Sequence, residues 1–137
     1  MPLHWQFDSR RRLVAAVADA DVTIGDLDAY LDAVVGVGAL GWRKLFDARD
    51  AKVALSPEEV LALGARIRGL HLLGTVGPLA FVLPKAEADG ILRLLGFMAA
   101  ADRQMRVFKA MGPARRWIEA WPITASREFP QLPILKG

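Results

Sequence analysis

Leu79-Ala80-Phe81-Val82-Leu83 is a continuous apolar run, which suits a strand covered on both faces of a parallel sheet. It is read as a central strand, and its flanks set the class. Upstream, Ser56-Pro57-Glu58-Glu59 has serine at N-cap, proline at N1 and glutamate at N3, the residues of a capping box, so a helix is predicted from Pro57 to Gly69 or Gly74. Val60, Leu61, Gly64 and Ile67 are expected to face inward. Downstream, Lys85 to Ala101 has helical periodicity, Met105-Arg106-Val107-Phe108 is a short strand, and Pro113 to Trp121 is a last helix stopped by Pro122. Towards the N-terminus, Trp42 to Ala48 reads as a strand and residues 24 to 36 as a helix capped by Thr23 and closed by Gly36 and Gly38. His4 to Phe7 and Leu13 to Val17, joined by the polar Asp8-Ser9-Arg10-Arg11-Arg12, form a β-hairpin. Strand and helix then alternate, which predicts an α/β fold with a mixed, mostly parallel sheet covered by about four helices.

The whole chain has 137 residues, 53% of them apolar and 24% charged, which fits one globular core and excludes the disordered and collagen-like classes. Residues 1 to 121 are assigned to the domain, and the proline-containing, apolar 122 to 137 to a C-terminal arm. No cysteine is present, so disulfides, thiolate nucleophiles and cysteine zinc sites drop out. A reducing, cytoplasmic setting is the expectation. Gly69 to Pro84, uncharged throughout, is broken by Gly74-Thr75-Val76-Gly77-Pro78, so no membrane-spanning helix is expected.

With this order the chain resembles the SpoIIAA-like branch of the STAS domains over residues 2 to 121. The residues that carry the resemblance are Leu13-Val14-Ala15, Thr23-x-x-Asp26-Leu27-x-x-Tyr30, Arg43 to Arg49, Leu55 to Val60, Gly77-Pro78-Leu79-Ala80, Arg106-Val107-Phe108 and Ala114-Arg115-Arg116-Trp117. The resemblance implies four βα turns with a leading antiparallel strand, a shape related to the CRAL-TRIO lipid-binding domains. It also implies that Ser56 stands near the serine that a partner kinase phosphorylates in anti-sigma-factor antagonists. The antagonists carry aspartate before that serine and a small residue plus glycine after it, whereas Leu55 and Pro57-Glu58 stand here. A plain helix cap is the competing role for Ser56.

Asp47, Arg49 and Asp50 mark the end of a strand, the edge at which α/β ligands bind, and form a candidate ligand edge; pairing of these acids with Arg43 or Lys44 is the structural alternative. Gly36-Val37-Gly38-Ala39-Leu40-Gly41 matches G-x-G-x-x-G but follows a helix and leads into a strand, the reverse of the dinucleotide context, so no cofactor is expected. His4 and His71 lack metal-ligand spacing. Arg10-Arg11-Arg12 and Arg115-Arg116, with Arg103, Arg106 and Lys109, attract nucleic acid or anionic lipid heads if they converge. No nucleic-acid motif accompanies them, and a solvated face, with Arg116 paired to Glu119, is the reading adopted. Trp5, Trp42, Trp117 and Trp121, with Phe97 and Met98, exceed what a small sheet needs. Such aromatic residues are core or dimer contacts more often than a ligand box. The function implied by the resemblance is a non-enzymatic regulatory or protein-interaction domain of the SpoIIAA-like type, self-associating as a dimer, with a binding module for a small apolar or lipid-like ligand as the alternative.

Overall fold

Two local signals start the helices that cover the sheet. Thr23 accepts from the Asp26 amide while the Asp26 carboxylate accepts from the Thr23 amide, and Ser56 and Glu59 do the same. Each pair satisfies two otherwise orphaned N–H groups. In the computed structural model, which describes residues 2–53, 55–85 and 104–122, the elements run β1 (Leu3–Asp8), β2 (Leu13–Val22), α1 (Ile24–Gly36), β3 (Arg43–Val53), α2 (Pro57–Leu70), β4 (Leu79–Val82), β5 (Met105–Phe108) and α3 (Met111–Glu119). The helix expected over 85 to 101 and the arm after Pro122 lie outside the described residues.

The strands form one five-stranded sheet in the order β1-β2-β3-β4-β5. β1 is antiparallel to β2, and β2 through β5 are parallel. This is the mixed, mostly parallel α/β sheet expected. β2-α1-β3 and β3-α2-β4 step in the same direction, so right-handed crossovers put α1 and α2 on one face. α3 follows the last strand and covers the other face. Strand alternation serves both. Val14, Phe46, Leu79 and Phe81 pack under α1 and α2, while Leu13, Leu45, Ala80 and Val82 pack under α3 with Ala114 and Ile118.

Several boundaries differ from the reading of the sequence, each for a physical reason. β4 holds Leu79–Val82 and is fourth rather than central, yet it is paired on both edges and buried throughout. β3 continues past Ala48 to Val53, because its second half pairs with β2 alone and tolerates charge on its outer side. α3 begins at Met111, two residues before Pro113; its N-cap, Ala110, makes no side-chain cap, so nothing local announces it. On α2 the buried stripe is Val60, Leu63, Gly64, Ile67 and Leu70, and Leu61 points outward at 58% exposure. Leu63, three residues from Val60 and four from Ile67, takes the inward position instead.

One irregularity interrupts the β2–β3 ladder. Val17 is opposite Asp47 and Asp19 is opposite Asp50, so β3 spends one residue more than β2 between those pairs. Such a bulge turns a strand's next residues over. It brings Ala51 to the same side as Ala48, and Ala20 on the facing strand takes a left-handed φ of 55°.

Candidate functional site

The bulge sets Ala51 beside Ala48, and with Ala18 of β2 they floor the sheet beneath α1 and α2. Methyl groups there leave a gap that larger side chains elsewhere in the core fill. The result is a cavity of about 80 Å³, walled by Tyr30 and Val34 of α1, Leu63 and Ile67 of α2, and Phe46 and Phe81 of the sheet. Phe46 and Phe81 stack in parallel at 5.3 Å, and Tyr30 meets Phe46 edge-on at 5.6 Å, so the aromatic wall is rigid. The tryptophans are not part of it. Trp5 and Trp42 pack at the N-terminal side of the core, and Trp117 and Trp121 pack with Phe108 under α3.

Among the described residues, Lys44 is the one charged residue of the lining. Its Nζ donates to the Leu40 carbonyl at 2.6 Å and the Trp42 carbonyl at 2.8 Å, so the ammonium is held at the strand-start end of the cavity. The remaining lining is almost wholly apolar, and an apolar cavity of this kind favours apolar groups over water. Above it, Arg66 of α2 reaches Asp28 at 2.8 Å and Asp32 on α1, and these ion pairs tie the two covering helices together.

The residues singled out from the sequence fall elsewhere. Ser56 Oγ accepts from the Glu59 amide at 3.1 Å, and the Glu59 carboxylate accepts from the Ser56 amide at 2.9 Å, so Ser56 serves as the N-cap of α2. Glu58 and Glu59 occupy the helix end with negative charge, where a phosphate would meet repulsion. Asp47, Arg49 and Asp50 lie within β3 rather than at its end, although pairing with β4 does stop at Asp47. Asp47 pairs with Arg49, through Nε at 3.0 Å and Nη2 at 2.9 Å, and not with Arg43 or Lys44. The Nη1 and Nη2 donors of Arg43 and the Nζ of Lys44 go to backbone carbonyls instead. Asp50 pairs with Lys85 at 3.4 Å.

Burial pushes the Asp47 carboxyl up, but the Arg49 side-chain and backbone hydrogen bonds and its charge outweigh burial, and the group titrates below the ordinary aspartate range. A carboxylate depressed in the folded state stabilises fully above its unfolded pKa, and that contribution fades as pH falls through the folded value. Asp47→Asn is therefore expected to cost about 1–2 kcal/mol at neutral pH. The gap should close in acid, below the ordinary aspartate pKa. Urea midpoints of both proteins along a pH series measure it; a gap that persists unchanged into acid would show that the carboxylate charge is not its source.

The basic runs do converge. Arg11 of the hairpin tip and Arg115 of α3 both pair with Glu119, at 2.6 Å and 3.6 Å, so these arginines rather than Arg116 hold that carboxylate. His4 is exposed on β1 and His71 caps the C-terminus of α2. The Gly36–Gly41 run closes α1, with Gly38 at a φ of 77°, and leads into β3. Among the described residues no group of three or more His, Asp or Glu side chains is placed to hold a metal ion, and no helix is long and apolar enough to cross a membrane.

The cavity itself is not legible in the sequence. Its alanines are ordinary strand residues until the bulge aligns them. In comparisons with known proteins, no family model, no curated protein and no solved structure matches the chain.

Proposed function

We propose that this protein is a non-catalytic binding module for a small apolar ligand, held between the sheet and the α1/α2 layer. The observation that carries the reading is the alanine-floored cavity with aromatic and aliphatic walls. Ligand sites are commonly concave and mostly apolar with few polar groups, and this lining, among the described residues, is apolar but for Lys44. The volume takes a short alkyl segment, and a longer chain would have to extend beyond it. A SpoIIAA-like, STAS-type fold is the architecture we assign; the leading antiparallel strand followed by parallel βα units supports it. Of the two functions expected from the sequence, ligand binding gains support from the cavity, whereas regulation through Ser56 must compete with the capping role of its hydroxyl.

The test compares wild type with Ala48→Leu, which fills the floor. Calorimetric titration with octanol should show binding with a negative heat-capacity change in wild type. In Ala48→Leu affinity should fall at least about tenfold, since the added isobutyl group occupies the ligand's volume. Its melting temperature should stay equal or rise as the gap closes. Equal octanol binding by both proteins, or none by wild type together with no co-purifying mass in detergent-free native mass spectrometry, would overturn the reading.

A further inference from the structure

The two ends of the parallel strands differ in charge. At the C-terminal ends Asp19, Asp21, Asp26, Asp50, Glu58 and Glu59, from β2, β3 and the first turns of α1 and α2, outnumber Arg49, Lys52 and Lys85. At the strand starts lie the hairpin tip Arg10-Arg11-Arg12 and the last turn of α2 with Arg68, against the acids Asp8 and Glu119, both bound by Arg11. That the tip and the α2 turn share an end follows from pairing. The Arg43 amide donates to the Arg12 carbonyl and the Lys44 amide to the Pro78 carbonyl, so the segments entering β2, β3 and β4 stand side by side. Adjacent strands are about 4.8 Å apart, which puts the tip about 10 Å from the segment entering β4.

This basic end also carries the most exposed large apolar side chains among the described residues. Leu72 is 90% exposed and Leu73 66% exposed, in the turn that leaves α2, and Val37 at the end of α1 is 54% exposed. Arg12 lies over the Trp42 ring at 5.7 Å, on the α1/α2 side of the sheet, and so faces the same way as that turn. Neighbouring leucines held out in water by a turn are unfavourable unless something apolar receives them. Arginines beside them select for an anionic surface.

We infer that this end of the molecule docks on an anionic lipid bilayer, with Leu72 and Leu73 entering the headgroup–acyl boundary and Arg10 and Arg12 lying against lipid phosphates. Interfacial binding combines apolar insertion with attraction of basic residues to anionic lipid, and both components are present on one surface here. A nucleic acid would use the arginines but has no place for the two leucines of the α2 turn. The acidic opposite end orients the molecule, since it is repelled by the same surface. The inference stands apart from the cavity reading, because it uses no cavity residue.

Vesicle flotation tests it, with phosphatidylcholine alone and with equal parts phosphatidylcholine and phosphatidylglycerol, at low and high salt. Wild type should float with the anionic vesicles and far less with the neutral ones. Arg10→Gln/Arg12→Gln should weaken that binding by about fivefold for each arginine removed, and lose most of its salt dependence. Leu72→Ser/Leu73→Ser, fully folded by circular dichroism because both positions are exposed, should lower binding at least about tenfold. Absence of flotation with anionic vesicles would overturn the inference. So would duplex DNA binding that needs the arginines and ignores the leucines, or a leucine variant that abolishes self-association yet floats like wild type.

Discussion

Gly77→Ala is expected to destabilise the protein by about 3 kcal/mol or more, an effect at the upper end of overpacking. A Cβ at Gly77 would stand 2.1 Å from the Trp42 carbonyl oxygen, 2.6 Å from the Gly41 oxygen and 2.7 Å from the Trp42 carbonyl carbon. All three are backbone atoms, so no side-chain rotation relieves the overlap. Backing away would cost bonds on both sides. The Gly77 amide donates to the Leu40 carbonyl at 2.9 Å, and the next residue's carbonyl accepts from the Lys44 amide at 2.8 Å at the start of the β3–β4 ladder. Gly69→Ala is the control, since a Cβ there meets nothing within 4 Å and the position is helical. It should be neutral or stabilising by up to about 1 kcal/mol. Thermal melts should separate the two variants by about 10 °C or more, given the usual relation of free energy to melting temperature at this size. Coincident melts would mean that the 74–78 segment shifts without resistance.

The same segment shows where the sequence is readable and where it is not. The starts of α1 and α2 are written locally. Thr23 with Asp26 and Ser56 with Glu59 each carry their whole signal within four residues, and both boundaries fall where they are read. The apolar run at Leu79 announces a strand for the same reason, because a four-residue segment buried on both faces has no room for polar side chains. Its place in the sheet is a property of the other strands and is not in the run. β3 shows the converse: Arg49, Asp50 and Lys52 look like the end of a strand, yet their backbone continues to pair with β2. The candidate ligand edge at Asp47, Arg49 and Asp50 depends on that early ending, and the structure gives those residues ion-pair partners along a continuing strand.

The cavity depends on a longer chain of causes. Ala48 and Ala51, three apart, belong to opposite faces of a regular strand, and only the extra residue in β3 sets them side by side. A bulge has no composition signature here, and the left-handed residue beside it is Ala20 rather than a glycine that would have marked it. The aromatic excess noted in the sequence rests on residues other than those of the cavity. The tryptophans divide between the two faces of the sheet as packing, while Tyr30, Phe46 and Phe81 line the cavity.

The other large effect is expected at Arg43, on the face that α3 covers. α3 has nine residues and no side-chain cap at its start, a length at which a helix has little stability of its own. It is held by packing of Ala114 and Ile118, both fully buried, against Leu13, Leu45, Ala80 and Val82. At its C-terminal end the last carbonyls need donors. Arg43, 6% exposed, supplies them: Nη1 donates to the Glu119 carbonyl at 3.3 Å and the Trp121 carbonyl at 3.0 Å, and Nη2 donates to the Arg11 carbonyl. One guanidinium thus joins the hairpin tip, β3 and the end of α3. Burial and then the nearby Arg11 charge pull its pKa down, against Glu119 and Asp8, which raise it.

Arg43→Met keeps the apolar stem and removes all three donations. The expected loss is about 3 kcal/mol, since hydrogen bonds from a charged donor are worth more than neutral ones and the carbonyls left behind are partly shielded from water. Arg43→Lys should recover less than half, because a single ammonium cannot span carbonyls on two separate segments. The loss should be local before it is global. Hydrogen exchange in Arg43→Met should rise first in α3 amides, with α1 and α2 protected to the global limit, because those helices sit on the opposite face and share none of its contacts. Uniform acceleration across all three helices would show instead that Arg43 supports the sheet as a whole.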